Sequence, residues 1–159
     1  MTPEQFEVFV EETLRALGAP LSEFEVDRRE HLSGSDGSYE IDVTARFQAL
    51  DADFLVLVEC KHHRHPIKRE TVQVLRDRVV STRAHKGMLF ATTSFQSGAV
   101  GYARHHRIAL VRVTPAHDIL FQTRGTCAPT PTAEALTSRP QGIAITAPLD
   151  LESVLDATR

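Results

Sequence analysis

The sequence predicts an α/β domain with a mixed sheet, in which antiparallel strands come first and parallel strands flanked by helices follow. Residues 24–32 and 39–50 alternate apolar and polar side chains around a polar, glycine-containing turn, as the two strands of a β-hairpin do. Residues 54–58 are uniformly apolar, which is typical of a central strand covered on both faces. Helix-like and strand-like segments then alternate as far as residue 113, which indicates parallel strands joined by crossovers.

Length and composition are those of a domain that can build its own core. The chain has 159 residues, 42% of them hydrophobic, and a chain of this size buries roughly 70% of the surface that it exposes when unfolded. Cys60 and Cys127 form no paired motif, so neither a disulfide framework nor a thiolate zinc site is predicted. No apolar run approaches the roughly 18 residues of a membrane span, and we expect a cytoplasmic protein without membrane contact.

The first element is an amphipathic helix over residues 3–17. Thr2 is the predicted N-cap, Pro3 occupies the first helical position and Gly18 ends the helix. A stripe recurs at helical spacing along it: Phe6, Phe9 or Val10, Thr13, Leu14 and Leu17. This stripe predicts one helix face packed on the sheet.

The hairpin and the strand after it follow the helix directly. The serine- and glycine-rich residues 33–38 form the predicted hairpin turn, and residues 51–53 turn the chain again into the apolar run. In the second hairpin strand, apolar side chains alternate with polar ones, of which Asp42 is one. The apolar run ends in Glu59, Cys60 and Lys61.

The second half predicts helices over 68–84 and 97–106 and strands over 88–92 and 108–113. In the first of these helices, Val72, Leu75 and Val79 form the inward stripe, and basic residues that include Arg78 are expected to face solvent. The composition changes at residue 122, where threonine and proline become frequent. We therefore predict a domain over residues 1–121 and a tail over residues 122–159.

Charge is segregated along the chain. Residues 1–60 hold 14 acidic and 4 basic side chains, whereas residues 61–112 hold 2 acidic and 11 basic ones together with six of the eight histidines. This asymmetry suits a site that holds a cation while it receives a polyanion. Two solvated faces that neutralise one another would give the same asymmetry.

Chemistry is concentrated where the apolar strand ends. Glu59 and Lys61 lie two residues apart and so share a face, at a position where charged groups cost desolvation unless they are paired or functional. Asp42 meets them if the hairpin register allows. The two carboxylates and the carbonyl of Cys60 would then offer Mg²⁺ the hard oxygen ligands that it prefers, and Lys61 could position or deprotonate an attacking water. This set predicts phosphodiester hydrolysis; a surface ion pair is the alternative.

In these residues the sequence resembles the Mrr-like restriction endonuclease branch of the PD-(D/E)xK nuclease superfamily. The resemblance extends from about residue 6 to about residue 120. It rests on several motifs: Phe6-Glu7 with Leu17-Gly18, Ile41-Asp42-Val43, Glu59-Cys60-Lys61, the helix from Ile67, residues 86–93, and Phe95-Gln96-Ser97-Gly98-Ala99 leading into residues 108–111. A D…ExK pattern is weak by itself, and its placement on hairpin and central strand makes it more specific.

The resemblance implies a restriction-endonuclease-like core that cleaves DNA in restriction or defence, with Mg²⁺ as cofactor and Mn²⁺ as a substitute. Asp42 and Glu59 would bind the metal, Lys61 would serve the attacking water, and Glu7 would reach the same cluster. Mrr-type enzymes usually carry a separate DNA-reading domain, and we expect none within these 159 residues because too few remain outside the core for a second domain. Some relatives have kept the fold and lost cleavage, so a silent module that binds nucleic acid or a protein partner is the alternative function.

The helix after the motif supplies the candidate DNA contacts, namely Lys68, Arg69, Gln73 and Arg76. Each phosphate neutralised by a basic side chain adds about 0.9 to the salt slope of binding to duplex DNA. A solvated helix face is the alternative for these four residues. A homodimer would allow both strands to be cut, and a separate DNA-reading or defence partner would supply recognition.

Overall fold

The computed structural model describes residues 1–126, which form one six-stranded mixed sheet with three helices. The elements in chain order are α1 (Pro3–Gly18), β1 (Ser22–Ser33), β2 (Ser38–Ala49), β3 (Ala52–Lys61), α2 (Arg69–Ser81), β4 (Lys86–Ala91), α3 (Ser97–His105), β5 (Ala109–Val113) and β6 (Ile119–Arg124). The strands lie in sequence order across the sheet. β1, β2 and β3 pair antiparallel, β3, β4 and β5 pair parallel, and β6 pairs antiparallel with β5. The predicted fold class is confirmed.

Each face of the sheet carries its own apolar core. On one face, α1 packs Phe6 and Val10 against a set that includes Val58 of β3 and Phe90 of β4. On the other, α2 and α3 cover a set that includes Leu57 and Leu89. Residues of β3 therefore alternate between two buried layers, which explains why residues 54–58 are apolar without interruption.

Local chemistry fixes the bounds of α1. The Thr2 hydroxyl accepts a hydrogen bond from the Gln5 backbone N–H, and the Gln5 side chain accepts one from the Thr2 N–H, which completes a capping box. At the other end, the Phe24 ring occupies the space that a Cβ on Gly18 would need. With 16 residues α1 is the longest described helix, and no helix within residues 1–126 is long and apolar enough to cross a membrane.

The sixth strand was not predicted. Its first residues, Ile119 to Phe121, follow a short turn at 114–118, and residues 122–124 belong to the segment that the sequence assigned to the tail. The strand forms because its half-buried Ile119 and Phe121 pack on the α1 face of the core, and the Thr123 hydroxyl donates to the Ile108 carbonyl. The rest of the predicted tail, residues 127–159, lies outside the described residues.

A charged network joins β1 to β2. Arg46 donates to both carboxylate oxygens of Glu30, at 2.6 and 2.9 Å, and the fully buried Thr44 donates to the same carboxylate. The Arg46 guanidinium, the largest cause, and the Thr44 hydroxyl together lower the pKa of Glu30 against the opposing effect of burial. A lowered folded-state pKa contributes stability that is present above the unfolded pKa and lost as pH falls through the folded pKa.

We expect Arg46→Met to lower the free energy of unfolding by about 1 kcal/mol near pH 7, because the pair is partly exposed and solvent screens it. The gap between wild type and variant should close as Glu30 is protonated below its ordinary pKa of about 4.3. Urea unfolding at several pH values measures the gap. A gap that does not change with pH would show that the packing of Arg46, and not its charge, stabilises the hairpin.

Candidate active site

The site begins where the pairing of β2 with β3 ends. Register partners run from Ala49↔Ala52 to Val43↔Val58 and go no further. Beyond the last pair, Oδ2 of Asp42 accepts a hydrogen bond of 2.7 Å from the Cys60 backbone N–H. A side-chain carboxylate thus takes over the bond that a backbone carbonyl would otherwise make, and Asp42 is anchored beside the residue that separates Glu59 from Lys61.

Glu59 lies on the opposite face of β3 from Cys60 and is buried. Its side chain is 5% exposed, and its carboxylate is bound by two cations. Lys61 Nζ lies 3.1 Å from Oε2, and Arg78 of α2 pairs with Oε1. Because an isolated buried carboxylate is costly, these two partners offset the cost of burying Glu59 at this depth.

Cys60 is surrounded by the carboxylates of the site. Burial raises the pKa of the Cys60 thiol strongly, and the negative charges of Asp42, Glu7 and Glu59 raise it further, with Lys61 opposing them. The thiol therefore stays protonated at neutral pH and does not act as a thiolate ligand. The same interactions place all three carboxylates within electrostatic reach of one residue.

Glu7 reaches this region from α1 and is held there by β1. Arg29 Nε lies 3.2 Å from Glu7 Oε2, and the Glu7 side chain is 17% exposed. Arg29 has a φ of 51° inside β1, a conformation that is uncommon for a residue with a Cβ. It also falls between the register pairs Arg28↔Val43 and Glu30↔Ile41, in the place opposite Asp42. Left-handed backbone inside a strand stores strain, and such strain clusters at functional sites.

The donor chemistry of the site fits Mg²⁺. Within residues 1–126, no three side chains of His, Cys, Asp or Glu are gathered closely enough to hold a metal ion by themselves. The predicted ligand set requires only two carboxylates, those of Asp42 and Glu59, together with the Cys60 carbonyl. Mg²⁺ usually binds through one or two carboxylates and keeps several waters, so oxygen donors in this number suit it.

The candidate DNA contacts lie at the start and along the outer side of α2. Lys68 is the exposed N-cap residue, and its side chain makes no capping hydrogen bond. Gln73 is half-buried, and Arg76 lies 3.6 Å from Asp77 with 40% of its side chain exposed. Lys68 and Arg76 are thus accessible to a polyanion.

α2 and α3 bring cations together on one surface. The Arg69 guanidinium lies 5.0 Å from the centre of the Tyr102 ring of α3. Burial lowers the pKa of His106, and the nearby His105, Arg76 and Arg69 lower it further. Arg69 and Arg76 therefore share a positive field, as a phosphate-binding surface requires.

Two arginines of the site were not recognised from the sequence. Arg78 was expected to face solvent, and this was wrong, because its guanidinium turns inward to Glu59. Arg78 follows the inward-facing Leu75 by three residues, and residues three apart lie on one helix face. This spacing could have predicted that Arg78 faces the sheet. Arg29 gave no signal, because its position depends on the unusual φ within β1.

The architecture defines a class of protein: an α/β fold with a mixed six-stranded sheet that carries two carboxylates and a lysine where its central strand ends. The chain belongs to the Mrr-type restriction endonuclease family, whose catalytic-domain model, described as "Restriction endonuclease", matches residues 1–115. A comparison with curated protein sequences finds no match.

The chain is similar to several solved structures, and the first of them shares its fold. A protein of unknown function, AF1548, is similar with a TM-score of 0.53 and 23% identity over 65% of this chain. MspJI restriction endonuclease in complex with a 27-mer oligonucleotide has a TM-score of 0.47 and 21% identity over 72% of this chain. The DNA modification-dependent restriction endonuclease AspBHI has a TM-score of 0.35 and 17% identity over 65% of this chain. The chain spans 56% of the first of these proteins, 26% of the second and 30% of the third.

Proposed function

We propose that this domain is a Mg²⁺-dependent DNA endonuclease that hydrolyses phosphodiester bonds by direct attack of water. The observation that supports the proposal is the hydrogen bond from the Cys60 N–H to Asp42, which anchors this carboxylate at the residue between Glu59 and Lys61. Membership of the restriction endonuclease family supports a nuclease role. Restriction or defence is the setting that this family suggests.

Each residue then has a defined task. Asp42 and Glu59, with the Cys60 carbonyl, would hold Mg²⁺, for which Mn²⁺ would substitute. When bound, the ion would supply Lewis-acid stabilisation of the phosphate charge. Lys61 Nζ, 3.1 Å from Glu59 and 28% exposed, would orient the attacking water and offset negative charge on the phosphate.

Outside the metal ligands, the proposal gives supporting roles to α1 and α2. Glu7 would add negative charge from α1, while Arg29 fixes its position. Lys68, Arg69, Gln73 and Arg76 would contact the DNA backbone along α2. A homodimer, or a separate DNA-reading partner, would complete double-strand cleavage and recognition.

A second candidate is a nuclease fold that binds nucleic acid or a protein partner without cleaving. The ion pairs of the site favour it, because Glu59 is already bound by Lys61 and Arg78, and Glu7 by Arg29. Such a module would bind DNA with the same affinity in EDTA and in Mg²⁺. A nuclease would bind more tightly with the ion present and would nick.

Nicking of supercoiled plasmid tests the proposal. With Mg²⁺ the wild type should produce open circles, and EDTA should stop it. Lys61→Met should lower the rate by about 10² to 10⁴, the range of a positioned general acid or base. The matched control is Lys86→Met, which removes the same charge from the start of β4 and should leave the rate unchanged. Equal rates for wild type and Lys61→Met would remove Lys61 from the mechanism.

A further inference from the structure

Arg112 stands out as a charged residue within an otherwise apolar strand. It is the one charged residue of the segment 108–113, and its neighbours Val111 and Val113 are buried. Among the described residues, its Nε is the one buried side-chain nitrogen or oxygen that has no hydrogen-bond partner. Leaving a buried donor unsatisfied costs about 1–3 kcal/mol, and more when it is charged, so the position calls for a ligand.

The register of the sheet places Arg112 in line with Lys61. Lys61 of β3 pairs with Ala91 of β4, and Ala91 pairs with Arg112 of β5. Leu57, Leu89 and Leu110 belong to the core on the α2 and α3 face, and side chains two apart share a face. Lys61, Ala91 and Arg112 therefore form one row across that face, which we call the cation row.

The shape of the cation row suits a phosphate backbone. Neighbouring strands lie about 4.8 Å apart, so the two basic residues are about 10 Å apart along the row. The middle residue of the row, Ala91, is fully buried and uncharged, so Lys61 and Arg112 are the two cations of the row. The row crosses the carboxyl ends of three parallel strands, the edge at which open α/β sheets bind ligands.

We infer that Arg112 is a second phosphate-binding residue, which holds a DNA phosphate beside the one that faces Lys61. The inference rests on the proposed function and extends it by one contact that lies outside α2. A DNA strand carries one phosphate per about 3.4 Å of helix axis, so two cations about 10 Å apart face different phosphates of one strand. Arg112 as a whole is half-buried, and its Nε–H, unpaired among the described residues, donates to a phosphate oxygen once the side chain turns toward the DNA.

Replacement of Arg112 by methionine separates this role from a structural one. In EDTA, a labelled duplex should bind Arg112→Met about tenfold more weakly than wild type, as expected for the loss of one charged hydrogen bond. Between about 50 and 200 mM salt, the slope of log K against log salt should fall by about 0.9. The midpoint of thermal unfolding should stay unchanged or rise, because methionine removes an unsatisfied buried donor.

Two further variants complete the test. Arg112→Lys should restore the salt slope, and Arg104→Met, which removes an exposed charge near the end of α3, should leave affinity and slope as in wild type. An Arg112→Met slope equal to that of Arg104→Met, or a clear drop in its unfolding midpoint, overturns the inference. If wild type neither binds nor nicks duplex with Mg²⁺ present, the proposed function fails; if it nicks while the Arg112→Met slope equals that of wild type, only this inference fails.

Discussion

Asp42→Asn should lower plasmid nicking by about 10² to 10³. The amide oxygen can still accept the hydrogen bond from the Cys60 N–H, so the local fold is kept while one negative ligand is lost. Several kcal/mol of charge stabilisation depend on a correctly held catalytic ion, and each 1.36 kcal/mol is a factor of ten in rate. Initial nicking rates in Mg²⁺ measure the loss.

Asp53→Asn is the matched control for this loss. Asp53 lies near the turn that joins β2 to β3, where it accepts a hydrogen bond from Gln48, and Asp42 lies at the opposite end of this strand pair. The two substitutions are chemically identical, so a general effect of lost negative charge would appear in both. Equal nicking rates for the two variants would contradict a role for Asp42.

Arg78→Met should destabilise the fold by about 3 kcal/mol. Glu59 is 5% exposed and would keep only Lys61 as a partner, and removal of one member of a buried ion pair typically costs about 3–5 kcal/mol. Addition of Glu59→Gln to Arg78→Met should restore part of the loss, because the buried charge that has lost one of its two partners disappears. Urea unfolding of both single variants and the double variant measures this coupling.

Arg76→Met serves as the control for Arg78→Met. Arg76 lies on the same helix, two residues earlier, with 40% of its side chain exposed and a 3.6 Å contact to Asp77. A surface substitution of this kind changes stability by about 0.5 kcal/mol at most. If the two methionine variants unfold alike, the ion pair with Glu59 contributes nothing to the fold.

The strands of the core were predictable because each side chain has a fixed face. The apolar run at 54–58 required cover on both sides, and α1 and α2 provide it. The last strand was missed because a change in composition at residue 122, which suggested a tail, falls within it: Ile119 and Phe121 precede that change and Thr123 follows it. The alternation of apolar and polar side chains therefore identified the inner strands, whereas the change in composition at residue 122 hid the edge strand β6.

The residues of the candidate site could be proposed from the sequence, whereas the ion pairs that Arg78 and Arg29 form with them could not. Asp42, Glu59 and Lys61 could be proposed from strand periodicity, because polar groups at the end of a buried strand require an explanation. Arg78 reaches Glu59 only through the packing of α2 on the sheet, and Arg29 reaches Glu7 only through a left-handed residue in β1. Such contacts depend on tertiary geometry that periodicity does not contain.

A calorimetric titration of the metal-free protein with Mg²⁺, repeated with Mn²⁺, tests most directly the central claim that Asp42 and Glu59 hold a metal ion. The account predicts that wild type and Asp53→Asn bind the ion alike, and that Asp42→Asn and Glu59→Gln each bind it at least about tenfold more weakly, since each removes a charged oxygen ligand. Binding by Asp42→Asn with wild-type affinity, or no uptake of either ion by wild type, would contradict the account.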